Sequence, residues 1–362
     1  MKVLITGGHL TPALAVIKEL KKHKDAEIVF VGRQYTDENN LTLSYEYSQI
    51  EKLGVPFIHL TTGRFTKKFS IRTILNYVKI FFGIIESFLI IREFKPNAVL
   101  SFGGYLGFPI SFVAGLLHIN VFIHEQTIMP GLANRIAARY AKKVFIAFPE
   151  SKRFFSSHIT SIVGNPLRNE IFHSQDAPFG DIGQKPIIYI TGGSLGAHSL
   201  NVHIENILPE LLKKFVVVHQ TGNVAEYGDY DRLAKISLEY KNYIVRTHIF
   251  DSEIGWLFKN ASLVVSRSGA NTIFELIALQ KPAVLVPLPW SASGEQKLHA
   301  EILQSHHVAE IFDQKDESLA LLELILKVYA NVETYQHSYK SLQKYIIPHP
   351  EEHIVKTILS QS

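Results

Sequence analysis

The chain has no cysteine. Disulfides, thiolate metal sites and cysteine nucleophiles are therefore excluded. A targeting segment is not expected either. The start, Met1-Lys2-Val3-Leu4-Ile5-Thr6-Gly7-Gly8, has no charged leader or cleavage site. It reads as a first strand entering a glycine turn, so the protein is expected to be made and kept in the cytoplasm. No apolar run is long enough to span a bilayer: the strongest, residues 80–91, is only about a dozen residues long. Charge of one sign is lacking as well, since 37 Lys and Arg face 33 Asp and Glu, for a net charge of +4. With no recognisable nucleic-acid module, this argues against a nucleic-acid partner. At 46% hydrophobic residues the chain is globular, and 362 residues exceed one ordinary core. Two domains are expected.

Strands and helices alternate throughout. Strands are predicted near residues 2–6, 28–31, 98–101, 121–124 and 143–147, then near 187–191, 215–220, 243–246, 263–266 and 283–287. Helices are predicted at residues 12–22, 71–94 and 131–141, among others. This order argues for parallel sheets covered on both faces. It restarts near Gly164-Asn165-Pro166, which places a boundary between domains 1–163 and 164–347. A final helix, 348–362, is expected to pack back on the first domain. The halves share an architecture but no sequence repeat.

Residues 263–296 carry the strongest local signal. A β-branched strand ends in Ser268-Gly269-Ala270. A helix follows through Ile273, Leu276, Ile277 and Leu279, and a second strand completes a βαβ unit. Glu275 sits early in that helix, at the rim where doubly wound sheets bind ligands, and an acid there can take both ribose hydroxyls. A glutamate near a helix start also suits the helix dipole, so the residue alone leaves both readings open.

Each half opens with a strand running into a glycine turn. In the second half it is Thr191-Gly192-Gly193-Ser194-Leu195-Gly196-Ala197. Glycines let backbone approach phosphate oxygens, and the next helix offers free N–H groups. Ser194 adds a hydroxyl. The spacing fits neither a P-loop nor the dinucleotide fingerprint, and a plain tight turn stays an alternative. In the first half the turn is Thr6-Gly7-Gly8-His9-Leu10-Thr11-Pro12. His9 stands at the mouth of a helix, where an imidazole can act as general base. Two such domains suggest a sugar-nucleotide enzyme.

Ten segments in register now carry a resemblance. They are Thr6-Gly7-Gly8-His9, Phe102-Gly103-Gly104-Tyr105, His124-Glu125-Gln126, Pro130-Gly131-Leu132-Ala133-Asn134, Phe148-Pro149, Gly164-Asn165-Pro166-Leu167-Arg168, Gly192 to Ala197, His219-Gln220-Thr221-Gly222, Arg267-Ser268-Gly269-Ala270 with Glu275, and Gln296. The chain resembles the MurG family, which transfers N-acetylglucosamine to lipid I in peptidoglycan synthesis. The likeness covers nearly the whole chain. It implies an α/β chain of the GT-B fold: two doubly wound, Rossmann-like domains with a cleft between them. It also implies inverting transfer with no metal or other cofactor, and UDP-N-acetylglucosamine (UDP-GlcNAc) as donor.

By position, the resemblance assigns the donor to Arg168, Gly193, Ser194, Phe250, Ala270, Asn271, Thr272, Glu275 and Gln296. Arg168 and Ser194 would hold the diphosphate, Glu275 the ribose, Phe250 the uracil and Gln296 the sugar. Thr6, Gly7, Gly8, Gly104, Tyr105, Thr127 and Asn134 would face the acceptor. His9 would be the catalytic base, with Glu125 as the alternative. Three departures stand out. The first turn is four residues shorter than the family's usual Thr-Gly-Gly-Gly-Thr-Gly-Gly-His. Thr127 replaces an Asn after His-Glu-Gln. His299-Ala300 replaces Asn-Ala, with one extra residue between Pro287 and Gln296.

Asp229-Tyr230-Asp231 has the form of a metal-binding triplet from another fold, but metal binding is not expected here. Between residues 64 and 95, seven Lys and Arg face two Glu. Phe65, Lys67, Lys68, Phe69 and Arg72 are expected to dock on anionic membrane, aromatics in the headgroups and cations on the lipid charge. Residues 80–91 are expected to be a buried helix. The reading is a peripheral enzyme on the cytoplasmic face of the cell membrane. Its partners would be UDP-GlcNAc and undecaprenyl-linked lipid I, with cell-wall synthesis or division proteins as further candidates. A transferase with another lipid acceptor, or a non-catalytic UDP-sugar-binding protein, stays open.

Overall fold

The computed structural model describes residues 1–37, 40–63, 71–173, 178–180 and 182–361. The chain divides into two compact units, Met1–Arg168 with Ile347–Ser362, and Asn169–Ile346. The first contains β1 (Lys2–Thr6), α1 (Leu10–Leu20), β2 (Glu27–Gly32), β3 (Tyr35–Asp37), β4 (Asn40–Leu43), α2 (Tyr45–Lys52), β5 (Phe57–His59), α3 (Ile71–Phe94), β6 (Ala98–Ser101), α4 (Gly104–Leu116), β7 (Asn120–Glu125), α5 (Leu132–Ala137), β8 (Ala141–Ile146) and β9 (Thr160–Ile162). Seven strands form a parallel sheet in the order β5-β2-β1-β6-β7-β8-β9, and β3 and β4 form a separate hairpin.

Strand periodicity gives this sheet two cores. Val3, Ile5, Ile28, Phe30 and Leu100 pack on one face, with Ala13, Val16 and Ile17 of α1. The alternate residues Leu4, Val29, Val31 and Val99 pack on the other, with Ile90 and Ile91 of α3 and Ile110 and Val113 of α4.

Helix α3 departs from the expected buried helix. Ile80, Ser87, Ile90, Ile91 and Phe94 are buried. Tyr77, Val78, Phe81, Phe82, Ile85, Phe88 and Leu89 are 41–61% exposed. The helix is apolar nearly all round, and its own unit covers only one side. Among the described residues no helix is long and apolar enough to cross a membrane.

The second unit contains β10 (Ile187–Thr191), α6 (His198–Lys214), β11 (Val216–Gln220), α7 (Asp229–Ser237), β12 (Tyr243–Arg246), α8 (Asp251–Asn260), β13 (Ala261–Ser266), α9 (Ala270–Leu279), β14 (Ala283–Leu285), α10 (Glu295–Ser305), β15 (Ala309–Ile311), α11 (Ser318–Ala330) and α12 (Val332–Ser338). Its six strands are parallel, in the order β12-β11-β10-β13-β14-β15. Leu200, Ile204 and Leu211 of α6 meet Leu321, Ile325 and Val328 of α11 over Ile188, Val217 and Val265.

The last helix, α13 (Pro350–Gln361), belongs to the first unit. Ile354, Val355 and Ile358 enter the core beneath α1. Asn120 and Lys142 donate to the Gln361 carbonyl at 2.8 and 2.6 Å. The Gly164 segment also stays with this unit. Gly164 lies against Ile347 and Pro350, and its carbonyl is 3.2 Å from His124 Nε2. The division therefore falls after Arg168, beyond the position expected from the sequence.

Candidate active site

In each sheet the strand order reverses beside a central strand. Ligands of doubly wound sheets bind outside the strand ends at such a reversal. In the first unit it lies between β1 and β6. Thr6 pairs with Ser101 and their hydroxyls are 3.1 Å apart, so the turns after the two strands leave side by side. Gly8 has φ +148°, and a Cβ there would lie 2.4 Å from the Gly103 carbonyl oxygen. Only glycine permits that approach. His9 follows as the N-cap of α1, half-buried, with no hydrogen bond to its ring among the described residues. Burial lowers its pKa from 6.5 to about 4, so the imidazole is neutral at pH 7.

Glu125 ends β7 and is buried. Its Oε1 accepts from the Thr127 backbone N–H at 2.9 Å and the Thr127 hydroxyl at 2.7 Å. Its Oε2 accepts from Asn134 Nδ2 at 2.8 Å. The Gly131 N–H donates to the same carboxylate. Burial pushes the carboxyl pKa up and these bonds pull it part of the way back. Thr127 and Asn134 thus both turn towards Glu125. Asn134 also lies against Gly103, which ties this network to the glycine turns. Gly104 opens α4 at φ +71°, with Tyr105 half-buried behind it.

In the second unit the reversal lies between β10 and β13. The turn after β10 is pinned at several points. The Gly193 N–H donates to Thr191 Oγ1, and Gln220 Nε2 donates to the Gly193 carbonyl, both at 3.0 Å. Tyr189 holds Gln220 through Oε1, also at 3.0 Å. Ser194 is exposed at the turn's tip, just before the start of α6.

Across the reversal, β13 leads into Arg267. This buried guanidinium donates to the Val286 carbonyl at 3.0 Å and to Ser199 Oγ, in the first turn of α6, at 2.8 Å. Burial lowers its pKa to about 10, which leaves it charged at pH 7. Ala270 and Glu275 of α9 are buried, and Asn271 and Thr272 are half-buried. Phe250, the N-cap of α8, is 60% exposed. Gln296, near the start of α10, accepts from the Leu288 N–H through Oε1 at 3.0 Å. Its carbonyl accepts from Ser268 Oγ at 2.8 Å. His299, one turn on, lies 3.1 Å from the Ser268 carbonyl.

Comparison with known proteins decides the family. The glycosyltransferase family 28 N-terminal domain matches residues 6–146, and the family's C-terminal domain matches residues 187–350. The UDP-N-acetylglucosamine--N-acetylmuramyl-(pentapeptide) pyrophosphoryl-undecaprenol N-acetylglucosamine transferase of Lachnospira eligens is 34% identical over 344 residues, covering 92% of each chain. The chain belongs to glycosyltransferase family 28. The transferase 2 of the same description from Bacillus cereus is 32% identical over 349 residues, covering 94% of each chain. The crystal structure of Acinetobacter baumannii MurG superposes with a TM-score of 0.72 at 24% identity, covering 99% of each chain. These likenesses give the family 28 chain a GT-B fold and the activity class of a glycosyltransferase.

Within this family 28 chain, Thr6, Gly7, Gly8, His9, Gly104 and Tyr105 gather at the first reversal, beside the network of Glu125, Thr127 and Asn134. Gly193 and Ser194 gather at the second, with Ala270, Asn271, Thr272 and Glu275 on the adjoining helix. Arg168 is the last residue of the first unit. Phe65, Lys67, Lys68 and Phe69 lie outside the described residues, as does the side chain of Arg72. Asp229 is taken up by Asn201 at 2.8 Å, Arg232 at 2.7 Å and His198 at 2.9 Å. Among the described residues the side chains close enough together to share a metal ion are His349, Glu351 and Glu352, of which Glu351 is half-buried and the other two are exposed. The sequence reading missed the work of Gln220 and Arg267. Both stood inside quoted motifs, but a motif does not reveal which backbone groups a side chain holds.

Proposed function

We propose that this enzyme transfers N-acetylglucosamine from UDP-GlcNAc to the muramyl sugar of lipid I, giving lipid II, on the cytoplasmic face of the cell membrane. The observation that carries this reading is the pair of glycine turns at the two strand-order reversals. The first presents a neutral imidazole. The second presents an open hydroxyl ahead of a helix whose first turn is hydrogen-bonded to a buried cation. The relatives' described reaction supplies the substrates.

In this reading Phe250 packs on the uracil and Glu275 takes the ribose hydroxyls. Ala270, Asn271 and Thr272 line the nucleotide. Gly193, Ser194 and the N-terminus of α6 hold the diphosphate, with Arg168 and Arg267 as counter-charges. Gln296 offers its amide nitrogen to the sugar, since its oxygen already accepts from Leu288. Thr6, Gly7, Gly8, Gly104 and Tyr105 face the acceptor. The muramyl hydroxyl attacks the anomeric carbon opposite UDP. The new C–O bond forms as the bond to UDP breaks, the proton passes to His9, and the configuration inverts. The charge left on UDP meets preset donors and cations. Glu125 braces the loops around His9. Domains for acceptor and donor follow the two units.

A lipid-linked acceptor requires the enzyme at the membrane. The outward face of α3, from Tyr77 to Leu89, is a continuous apolar stripe of the kind that enters the headgroup layer. Residues 64–72 precede it and add the cations.

The test is turnover by purified protein with UDP-GlcNAc and lipid I in detergent, read by mass spectrometry. Lipid II and UDP in equal amounts support the proposal. Donor binding without transfer, or transfer only to another lipid-linked sugar, would overturn it.

A further inference from the structure

Glu46 has no part in the mechanism above, yet it touches the turn that carries His9. It lies in the first turn of α2, and its side chain reaches the ends of β1 and β2. The Arg33 N–H donates to Oε2 at 3.1 Å, and the Gly8 N–H donates to the same carboxylate. Two glycines make the space. A Cβ on Gly7 would lie 2.3 Å from Oε1, and one on Gly32 would lie 2.5 Å from Oε2. The Gly7 N–H itself bonds the Val31 carbonyl at 2.8 Å, so the carboxylate is wedged where β1 and β2 end together. Burial raises its pKa, and the two backbone donors and Arg33 oppose that rise. A carboxylate kept in such a place needs those donors, because an unpaired one is costly.

We propose that Glu46 is a positioning residue for the transfer step. It holds the Gly8 amide and so fixes the direction in which His9 leaves the turn. The inference rests on His9 being the base. The short turn of this chain is thus held from below by a protein carboxylate. The Gly8 N–H is then spoken for, and the acceptor's diphosphate must find its donors elsewhere in the turn.

Glu46→Gln is the test, because it keeps the shape but replaces one acceptor oxygen with a donor. Two backbone N–H groups then face one acceptor. The expected result is a fall in kcat of about 10- to 100-fold, the scale of a small misplacement of a reacting group. UDP-GlcNAc affinity, by calorimetry, should stay within about twofold of wild type, because donor binding lies in the other unit. Glu46→Asp keeps both oxygens, draws them back by one methylene, and should fall between; it also serves if the Gln variant does not fold. In the cycle with His9→Ala, the double variant should match His9→Ala alone, since Glu46 acts through His9. A folded Glu46→Gln or Glu46→Asp enzyme with unchanged kcat overturns the inference, as do fully additive losses in the cycle. An unimpaired His9→Ala enzyme would overturn the base assignment itself. An impaired His9→Ala beside an unimpaired Glu46→Gln would overturn only the role of Glu46.

Discussion

A methyl group on Gly196 would lie 1.9 Å from the carbonyl oxygen of Thr221. The turns after β10 and β11 are therefore pressed backbone to backbone, and the turn proposed to hold the diphosphate takes its shape partly from its neighbour. Gly196 also has φ +78°, which L side chains rarely adopt. Gly196→Ala should destabilise the second unit by about 1–3 kcal/mol, the usual cost of overpacking. It should also weaken UDP-GlcNAc binding. Thermal unfolding and calorimetry on the same sample check both; a variant equal to wild type in each would mean that the turn relaxes freely.

Glu275 should matter to the nucleoside and not to the diphosphate. Glu275→Ala should weaken UDP-GlcNAc binding by about 1–3 kcal/mol, the scale of a hydrogen bond to a charged group. Uridine affinity should fall by a similar factor. Unchanged calorimetric affinity for both would remove Glu275 from the site.

His9→Ala should lower kcat by about 10²–10⁴-fold, the range of general-base catalysis, with donor binding intact. Burial has already lowered the His9 pKa to about 4. A base with a depressed pKa stays unprotonated as the pH falls, so kcat/KM for the acceptor should stay level from pH 8 to about 5.5. An acid limb near 6.5 that disappears in the variant would show that the imidazole is solvated in the free enzyme.

His219 makes a separate pH prediction, about stability. It is buried between Tyr243 OH at 3.0 Å and Asn201 Oδ1 at 3.1 Å, and burial lowers its pKa from 6.5 to about 3. Below pH 6.5 the unfolded chain takes up a proton that the folded chain refuses, so this residue's contribution shrinks as the pH falls. His219→Gln lacks that term. The stability gap between wild type and variant should narrow between pH 7.5 and 5 in urea unfolding. A constant or widening gap contradicts the assignment.

The outward face of α3 can be tested without disturbing the core. Phe81→Ser, Phe82→Ser and Leu89→Ser together should abolish sedimentation with anionic liposomes. Stability should change little, because the side chains are exposed. Salt should weaken docking through the cations of residues 64–72 and spare docking through the apolar stripe. Equal liposome binding by variant and wild type would place the membrane surface elsewhere.

Much of the fold was legible because central strands buried on both faces must be continuous apolar runs, as in Ile187-Ile188-Tyr189-Ile190. Three of the four edges of the two parallel sheets were not. β5, β9 and β15 have three residues each and end their sheets, where short runs look like loop, whereas the longer edge strand β12 was legible at residues 243–246. The glycine turns were legible because backbone contact admits no side chain. Glu46 was not, since one glutamate in a polar helix carries no pattern; only the space beneath Gly7 and Gly32 reveals it. The exposure of α3 was hidden for a similar reason. Periodicity shows that Ile80 to Ile91 are apolar but not how many sides have a partner.

The return of α13 to the first unit has a consequence for how the molecule is made. Ile354, Val355 and Ile358 fill the core beside Val16 and Ile17. They also follow the whole of residues 169–346 in the chain, and so leave the ribosome after them. The half that begins first is thus completed last, while residues 169–346 can close as soon as they emerge. A fragment ending at Arg168 would leave that groove open, and a chaperone met during synthesis would find its apolar target on α1.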